Sequence, residues 1–509
     1  MTSEKASQQP VIDFLGDPAT HGGIPVQRID THAAAVFLVG ERALKIKRAV
    51  RFPFLDFSTL DRRKAACDAE IAVNRAFAPA LYRRVVPVTR TADGRLEIGG
   101  QGTPVEWVVE MRRFDETQTL DRLAQSGRID EGLADSLGRM IGAAHRVAPV
   151  VRNAHFTDAL REIIAQNEAE LAAEPDLLSL QDLRALATAT REAFERVEPL
   201  LSARERAGLV RRCHGDLHLG NIVLIEDKPI LFDAIEFDDR IATGDLLYDL
   251  AFVLMDLIER NLRLAANIVF NRYLAETRRI HDLDALAALP LFMSVRAAIR
   301  AKVVAARRRQ STAGSDVLRD ARSYAELARN LLTPVKPKLV AIGGLSGTGK
   351  SLLARSLAPE IKPMPGAVLL RSDVERKALF GVAETERLPE SAYAPDVTAR
   401  AYAALAAKAR RVIEAGHSVI VDAVFSQAGE RAQIAGAAGN REFTGLFLTA
   451  DMATRLARVS GRTRDASDAD AAIVQTQEQY DLGRIAWTKV DASGTPEETL
   501  IRARAMLNL

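Results

Sequence analysis

The chain has 509 residues, more than one hydrophobic core can serve, so two to four domains are expected. Its 48% hydrophobic and 27% charged residues are ordinary for a globular protein, and 69 basic against 67 acidic residues, a net charge of +2, give no reason to expect a nucleic-acid or membrane partner. Two distant cysteines, Cys67 and Cys213, argue against a disulfide framework or a zinc site and fit a reducing cytoplasmic setting.

The opening MTSEKASQQPVIDFLGD has no apolar core segment and is not expected to be a signal peptide. AAVFLV (34–39), ALKIKRAV (43–50), RVVPVTR (84–90) and VEWVVEM (105–111) read as strands, with a hairpin over TADGRLEIGGQGTP (91–104). One helix, 58–78, crosses them, with Ser58 as its expected N-cap. Residues 115–330 read as largely helical, apart from 210–245, where NIVLI and PILFD form short strands between loops. LLYDLAFVLMDLI (246–258) is apolar, but Asp249 and Asp256 interrupt it, so it reads as a buried helix and not a membrane span. After the Pro-and-Lys stretch TPVKPK (333–338) the texture changes. KLVAIGG, VLLRSD, HSVIVDAVF and FTGLFLT alternate with helices, which predicts a parallel sheet wrapped by helices.

Two constellations carry chemistry. The first is HGDLHLGN (214–221). Phosphoryl transfer needs a group beside the acceptor hydroxyl and metal ligands that bridge the phosphates. With the spacing of the kinase pattern H-R-D-x-x-x-x-N, Asp216 takes or orients the hydroxyl proton and Asn221 holds Mg²⁺; Asp233, closing PILFD, is the second metal carboxylate. His214 is expected to order the loop, His218 and His145 to be structural, Cys213 to be an inert buried thiol, and Asp249 to brace the helix it starts.

HGDxxxxN, an apolar strand ending in Asp233, Gly244-Asp245 and Tyr248-Asp249-Leu250-Ala251 together resemble the aminoglycoside phosphotransferase family over roughly residues 25–330. The resemblance implies a protein-kinase-like fold with ATP between two lobes. It also implies a strand lysine on the phosphates, paired with a helix glutamate. Lys45 and Lys47 share one strand face, Lys45 being favoured, and Glu70 is the natural partner. Glu110-Met111 resembles the hinge where adenine docks. No G-x-G-x-x-G loop precedes Lys45; the corresponding turn is near Thr31–Ala34.

The second constellation is GLSGTGKS (344–351), which satisfies G-x-x-x-x-G-K-[ST] between a strand and a helix. Gly344, Ser346, Gly347, Thr348 and Gly349 form the phosphate loop, Lys350 reaches the β and γ phosphates, and Ser351 joins Mg²⁺. Asp373 closes a strand and is read as the group that activates the acceptor hydroxyl; Asp422 closes another and is read as a metal carboxylate, the alternative for each being a helix cap. Arg376 and Lys377 suit an anionic substrate. Residues 338–509 resemble adenylate/gluconate-kinase-like P-loop kinases, which implies an arginine lid at Arg455, Arg458, Arg462 and Arg464.

The whole chain resembles the fused proteins described as bifunctional aminoglycoside phosphotransferase/ATP-binding protein. The expected fold is an α+β protein-kinase-like domain of two lobes (1–332, lobes about 25–112 and 113–332), a linker (333–338) and an α/β P-loop domain with a parallel sheet (339–509). The expected function is ATP- and Mg²⁺-dependent phosphorylation of a small-molecule hydroxyl. The other reading makes the P-loop half a nucleotide-driven regulator that transfers nothing. Arg296, Arg300 and Arg307, on one helix face, either recognise an anionic or phosphorylated acceptor, or face solvent or pair with neighbours.

Overall fold

A computed structural model describes residues 2–52, 55–308, 314–461 and 467–509. Strand Arg42–Lys47 shows how the first sheet is organised. Alternation sends Leu44 and Ile46 to one face, where they pack with Phe37, Val88 and Val108 against Val11, Ile12 and Leu15. Ala43, Lys45 and Lys47 go to the other face, toward a cleft. Six antiparallel strands make this sheet, in the order Val26–Asp30, Ala34–Val39, Arg42–Lys47, Thr103–Arg112, Tyr82–Arg90, Leu96–Ile98.

The helix Thr2–Gly16 that supplies Val11, Ile12 and Leu15 was not expected from the sequence. Its Gln8 donates to the Lys47 carbonyl (2.7 Å) and to Glu106 (2.8 Å), and accepts from the Ala49 amide (2.9 Å). The crossing helix is Leu60–Asn74, shorter than predicted, and its N-cap is Thr59, whose hydroxyl accepts from the Arg62 amide. Ser58 instead bonds Asp56. Farther along, hairpin Ile222–Ile225/Lys228–Leu231 and the antiparallel pair Val210–Arg212/Thr243–Asp245 form the predicted island among helices. Arg204 grips Asp245 through two bonds of 2.6 and 2.9 Å, both side chains buried.

The second sheet is parallel, in the order Val368–Arg371, Val419–Asp422, Lys338–Gly344, Glu442–Thr449, Thr488–Asp491. Its fifth strand was not read from the sequence. Val340, Ile342, Ile420, Leu446 and Leu448 pack against Leu353 and Leu357 of one helix and Ala503 and Leu507 of another.

By packing, the chain divides into Met1–Leu160 with Ser202–Asp256, and Arg161–Leu201 with Leu257–Leu509. The second unit thus contains helices that precede the 333–338 stretch. Asn267 and Asn271, on helix Arg263–Thr277, donate to the Ala367 carbonyl (3.1 Å each), and Asn271 accepts from the Leu369 amide (2.7 Å). Ion pairs Arg272–Glu384 (2.9 Å) and Arg411–Asp284 (2.7 Å) reinforce the contact. Among the described residues no helix is long and apolar enough to cross a membrane; helix Leu246–Glu259 is buried, as its composition suggested.

His417 gives the second unit a measurable pH response. It is fully buried, bonds the Gly366 carbonyl through Nε2 (2.9 Å), and lies 5.5 Å from the Phe270 ring. Burial lowers its pKa from 6.5 to about 4. The unfolded chain therefore takes up this proton first, and the stability contributed by neutral His417 is full above pH 6.5 and lost as pH falls toward about 4. Thermal unfolding followed between pH 7 and pH 4 is expected to show a smaller acid-side drop in Tm for His417→Gln than for wild type; equal drops contradict this assignment.

Candidate active site

In the cleft of the first unit, the Lys45 ammonium lies 2.8 Å from Glu70 Oε1 and 2.7 Å from Asp233 Oδ1. Lys47 lies 2.7 Å from the other Glu70 oxygen and pairs also with Glu236. Two cations and three carboxylates thus form one chain of contacts. Burial alone would push both lysines down, but Asp233 and Glu70 hold Lys45 well above the usual range, and Glu70 and Glu236 raise Lys47. Asp233 is lowered: burial works against its charge, and Lys45 outweighs burial. Glu236 goes the other way, raised by burial despite Lys47.

Asp233 has a positive φ of 59°, unusual for a residue with a side chain. Its amide donates to the Tyr82 hydroxyl (3.0 Å), and the next residue, Ala234, donates to Asn74 Oδ1 (2.8 Å). These two side chains hold the turn that presents the carboxylate, which keeps 46% of its side-chain surface exposed.

Asp216 lines the same cleft. Asn221 Nδ2 donates to its carbonyl (2.9 Å) and to its Oδ2 (3.0 Å), which directs Asn221 Oδ1 away from Asp216. Asp216 also opposes the charge on Asp233, as expected of neighbouring carboxylates. The loop is held from behind. Asp249 accepts from the amides of Gly215 (2.9 Å) and His214 (3.3 Å) and contacts His145 Nε2 (3.1 Å). Asp249 therefore does more than brace its own helix. His214 donates from Nε2 to the Phe232 carbonyl (2.9 Å), tying the Asp216 loop to the Asp233 turn. His218 Nδ1 accepts from Gly220, and its Nε2 is 3.5 Å from Asp216 Oδ2. Cys213 is buried, within 4.8 Å of His145 and Asp249, but the Asp249 oxygens are already engaged by loop amides and His145.

The cleft has a volume of about 350 Å³, with an apolar part formed by Val36, Ala43, Leu81, Met111, Phe114 and Phe232. Glu110 does not line it. Strand alternation turns its side chain to the opposite face, where Arg84 meets it at 2.8 Å. Thr31, Ala33 and Ala34 line the cleft without a glycine loop; the Thr31 hydroxyl accepts from the Ala34 amide (2.9 Å) and closes the turn.

In the P-loop, Gly344, Gly347 and Gly349 all have positive φ. A side chain at Gly347 would also meet the Arg455 carbonyl at 2.6 Å. Lys350 opens helix Lys350–Leu357 and lies 3.1 Å from the Leu345 carbonyl, which Thr348 also bonds at 2.8 Å. Ser351 Oγ and Asp422 Oδ2 are 2.5 Å apart. Arg371 reaches both, at 3.1 Å from Ser351 Oγ and 3.4 Å from Asp422 Oδ2. Ser346 has its amide on Gln477 (2.7 Å) and its carbonyl on Arg455 (2.9 Å), so its backbone is committed inside the protein.

Several basic residues assigned to ligands are occupied by the protein. Arg455 is buried and pairs with Glu478. Arg458 bonds the Ala492 and Gly494 carbonyls (2.8 and 2.6 Å). Arg376 bonds the Ala392 carbonyl and Thr398 and lies over Tyr393; Lys377 is buried on Asp468 (3.0 Å) and the Glu384 carbonyl. Arg462 and Arg464 lie outside the described residues. Arg296 is buried and Arg300 lies 5.7 Å from the Tyr324 ring, so the stripe is not a solvent face there; the Arg307 side chain lies outside the described residues.

A family model described as "Phosphotransferase enzyme family" matches residues 28–289, more than half of the chain. The chain belongs to the phosphotransferase enzyme family. A second model, described as "AAA domain", matches residues 339–481, where the P-loop and the parallel sheet are found. The resemblance to fused aminoglycoside-phosphotransferase-like and P-loop kinase halves therefore holds. This phosphotransferase is 28% identical over 491 residues to uncharacterized proteins Rv2004c of Mycobacterium tuberculosis (strain ATCC 25618 / H37Rv) and Mb2027c of Mycobacterium bovis, covering 93% of this chain and 94% of theirs. Among solved structures, it is similar to a choline/ethanolamine kinase family protein from Mesorhizobium loti (14% identity, TM-score 0.40, 64% of this chain and 96% of that one). It is also similar to a gluconokinase from Sinorhizobium meliloti 1021 (20%, 0.25, 34% and 92%).

Sequence reasoning missed Tyr82, Asn74, Glu236 and Gln477. Only Glu236 carried a signal, in the acidic run DAIEFDD. Asp249 supplies an observable consequence for the phosphotransferase. Asp249→Ala removes an anionic acceptor from two loop amides and is expected to lower kcat of the cleft by about 100-fold, with KM for ATP within about threefold. Steady-state kinetics check this; an unchanged kcat contradicts the loop-holding role.

Proposed function

We propose that the chain is an ATP- and Mg²⁺-dependent kinase for the hydroxyl of a small molecule, with a nucleotide site in each half. The observation that carries the reading is the Lys45 ammonium held between Glu70 and Asp233 in the cleft that Asp216 lines. ATP would place its base among the apolar side chains, including Met111, and its phosphates at Lys45. The Asp233 carboxylate and Asn221 Oδ1 are hard oxygen donors suited to Mg²⁺, and an ion there would relieve the opposition between Asp216 and Asp233. Bound Mg²⁺ supplies charge neutralisation on the phosphates. Asp216, fixed by Asn221, then orients the acceptor hydroxyl and takes its proton.

In the second half the amides of Gly347, Thr348 and Gly349 and the Lys350 ammonium would cradle the triphosphate. Ser351 and Asp422 offer adjacent oxygens to Mg²⁺. Asp373, on helix Ser372–Leu379 just past the strand end, would accept the proton of a second hydroxyl. Burial raises its carboxyl above the ordinary range; Arg371 holds it back, Asp422 adds to the rise, and Lys350 opposes it. The base is active only when ionised, so activity at this site is expected to fall on the acid side with an apparent pKa above that of an ordinary aspartate, about 3.9. A pH–rate profile of the activity removed by Lys350→Ala checks it; a flat profile down to pH 4 contradicts Asp373 as the base.

A regulatory P-loop half is the second reading, favoured by the contacts of buried Asn267 and half-buried Asn271 with it. ATP consumption screened over hydroxyl acceptors separates the two. Asp216→Ala and Lys350→Ala are each expected to lose about 10³-fold or more on different acceptors or steps. Identical losses on every acceptor contradict two transferring sites and support regulation.

A further inference from the structure

Arg371, in the second unit, meets the oxygens of the P-loop centre. It ends strand Val368–Arg371 beside the P-loop. One guanidinium nitrogen lies 3.1 Å from Ser351 Oγ and another 3.4 Å from Asp422 Oδ2, and those two oxygens are themselves 2.5 Å apart. The three side chains close a triangle. The hydroxyl and carboxylate assigned to Mg²⁺ thus already share a cation from the chain. Lys350 and Asp373 add one further charge of each sign nearby. The Arg371 side chain is mostly buried, with 19% of its surface exposed, which keeps its charge close to these partners.

A Mg²⁺ ion on the same hydroxyl and carboxylate oxygen would stand close enough to the guanidinium for the two charges to repel, which favours release of one of them. A planar guanidinium matches phosphate oxygens as well as a carboxylate. We propose that Arg371 is a built-in counter-cation of the P-loop centre: it holds Ser351 and Asp422 in the absence of metal, yields them to Mg²⁺, and then carries its charge to the terminal phosphate of the nucleotide. This rests on the reading of the P-loop as a nucleotide site.

The test is equilibrium binding of a non-hydrolysable ATP analogue to the full-length chain, taking as the P-loop component the part removed by Lys350→Ala. At saturating Mg²⁺, Arg371→Gln is expected to weaken this component about tenfold, because the terminal phosphate loses the cation that Mg²⁺ released to it. With nucleotide fixed, the Mg²⁺ concentration for half-saturation is expected to fall severalfold, because the competitor on Ser351 and Asp422 is gone. These effects have opposite signs, which general damage does not produce. Arg371→Lys, which keeps the charge, is expected to lie between wild type and Arg371→Gln in both readouts, and serves if Arg371→Gln does not fold. Weaker nucleotide binding together with a higher Mg²⁺ requirement, or no change in either, overturns the proposal alone. If Lys350→Ala removes no bound nucleotide, the P-loop reading falls and this proposal with it.

Discussion

The Lys45 ammonium between Glu70 and Asp233 organises the first unit. A buried cation is tolerated only when its charge and its hydrogen bonds are matched, and two carboxylates do both. The match brings together three distant pieces of chain: a central strand, the crossing helix and the turn after the 222–231 hairpin. Lys47 and Glu236 extend the chain of charges, so that moving any one member takes a partner from its neighbours. The unusual backbone at Asp233, held by Tyr82 and Asn74, is what lets its carboxylate reach Lys45 and still face the cleft.

On the proposed reading, the second unit would grip phosphate in another way. Its charge selectivity would come from backbone amides at a helix start, where close packing at Gly347 leaves no room for a side chain. The cations near it are divided between the ligand and the fold. Lys350 and Arg371 stand at the centre, whereas Arg455, Arg458, Arg376 and Lys377 hold loops to one another. Both halves follow one logic. On the proposed reading, positioned charges sit where phosphate charge would lie, and each is held by partners that fix its place beforehand.

Much of this was legible in the sequence, for local reasons. Period-two alternation put Lys45 and Lys47 on one strand face, and the kinase spacing brought Asp216 and Asn221 into one loop. The P-loop pattern fixed strand, turn and helix together. What stayed hidden depends on chain segments far apart. Nothing in the sequence near Tyr82 or Asn74 announces that they hold the turn at Asp233. Asp249 read as a brace for its own helix because its partners, the amides of His214 and Gly215, lie 35 and 34 residues away. Arg376, Lys377 and Arg455 looked available for anions because charge is visible in sequence and burial is not. Glu110 was assigned with Met111 as one hinge, although alternation separates their side chains. The first helix is hard to read from the sequence because its apolar face is short and Pro10 interrupts it.

Equilibrium titration of the full-length chain with an ATP analogue in Mg²⁺ tests the central claim most directly. Two unlike phosphate grips predict two bound nucleotides per chain, with one lost in Lys45→Ala and the other in Lys350→Ala. One nucleotide per chain in the wild type, or two retained when Lys45 is removed, contradicts it.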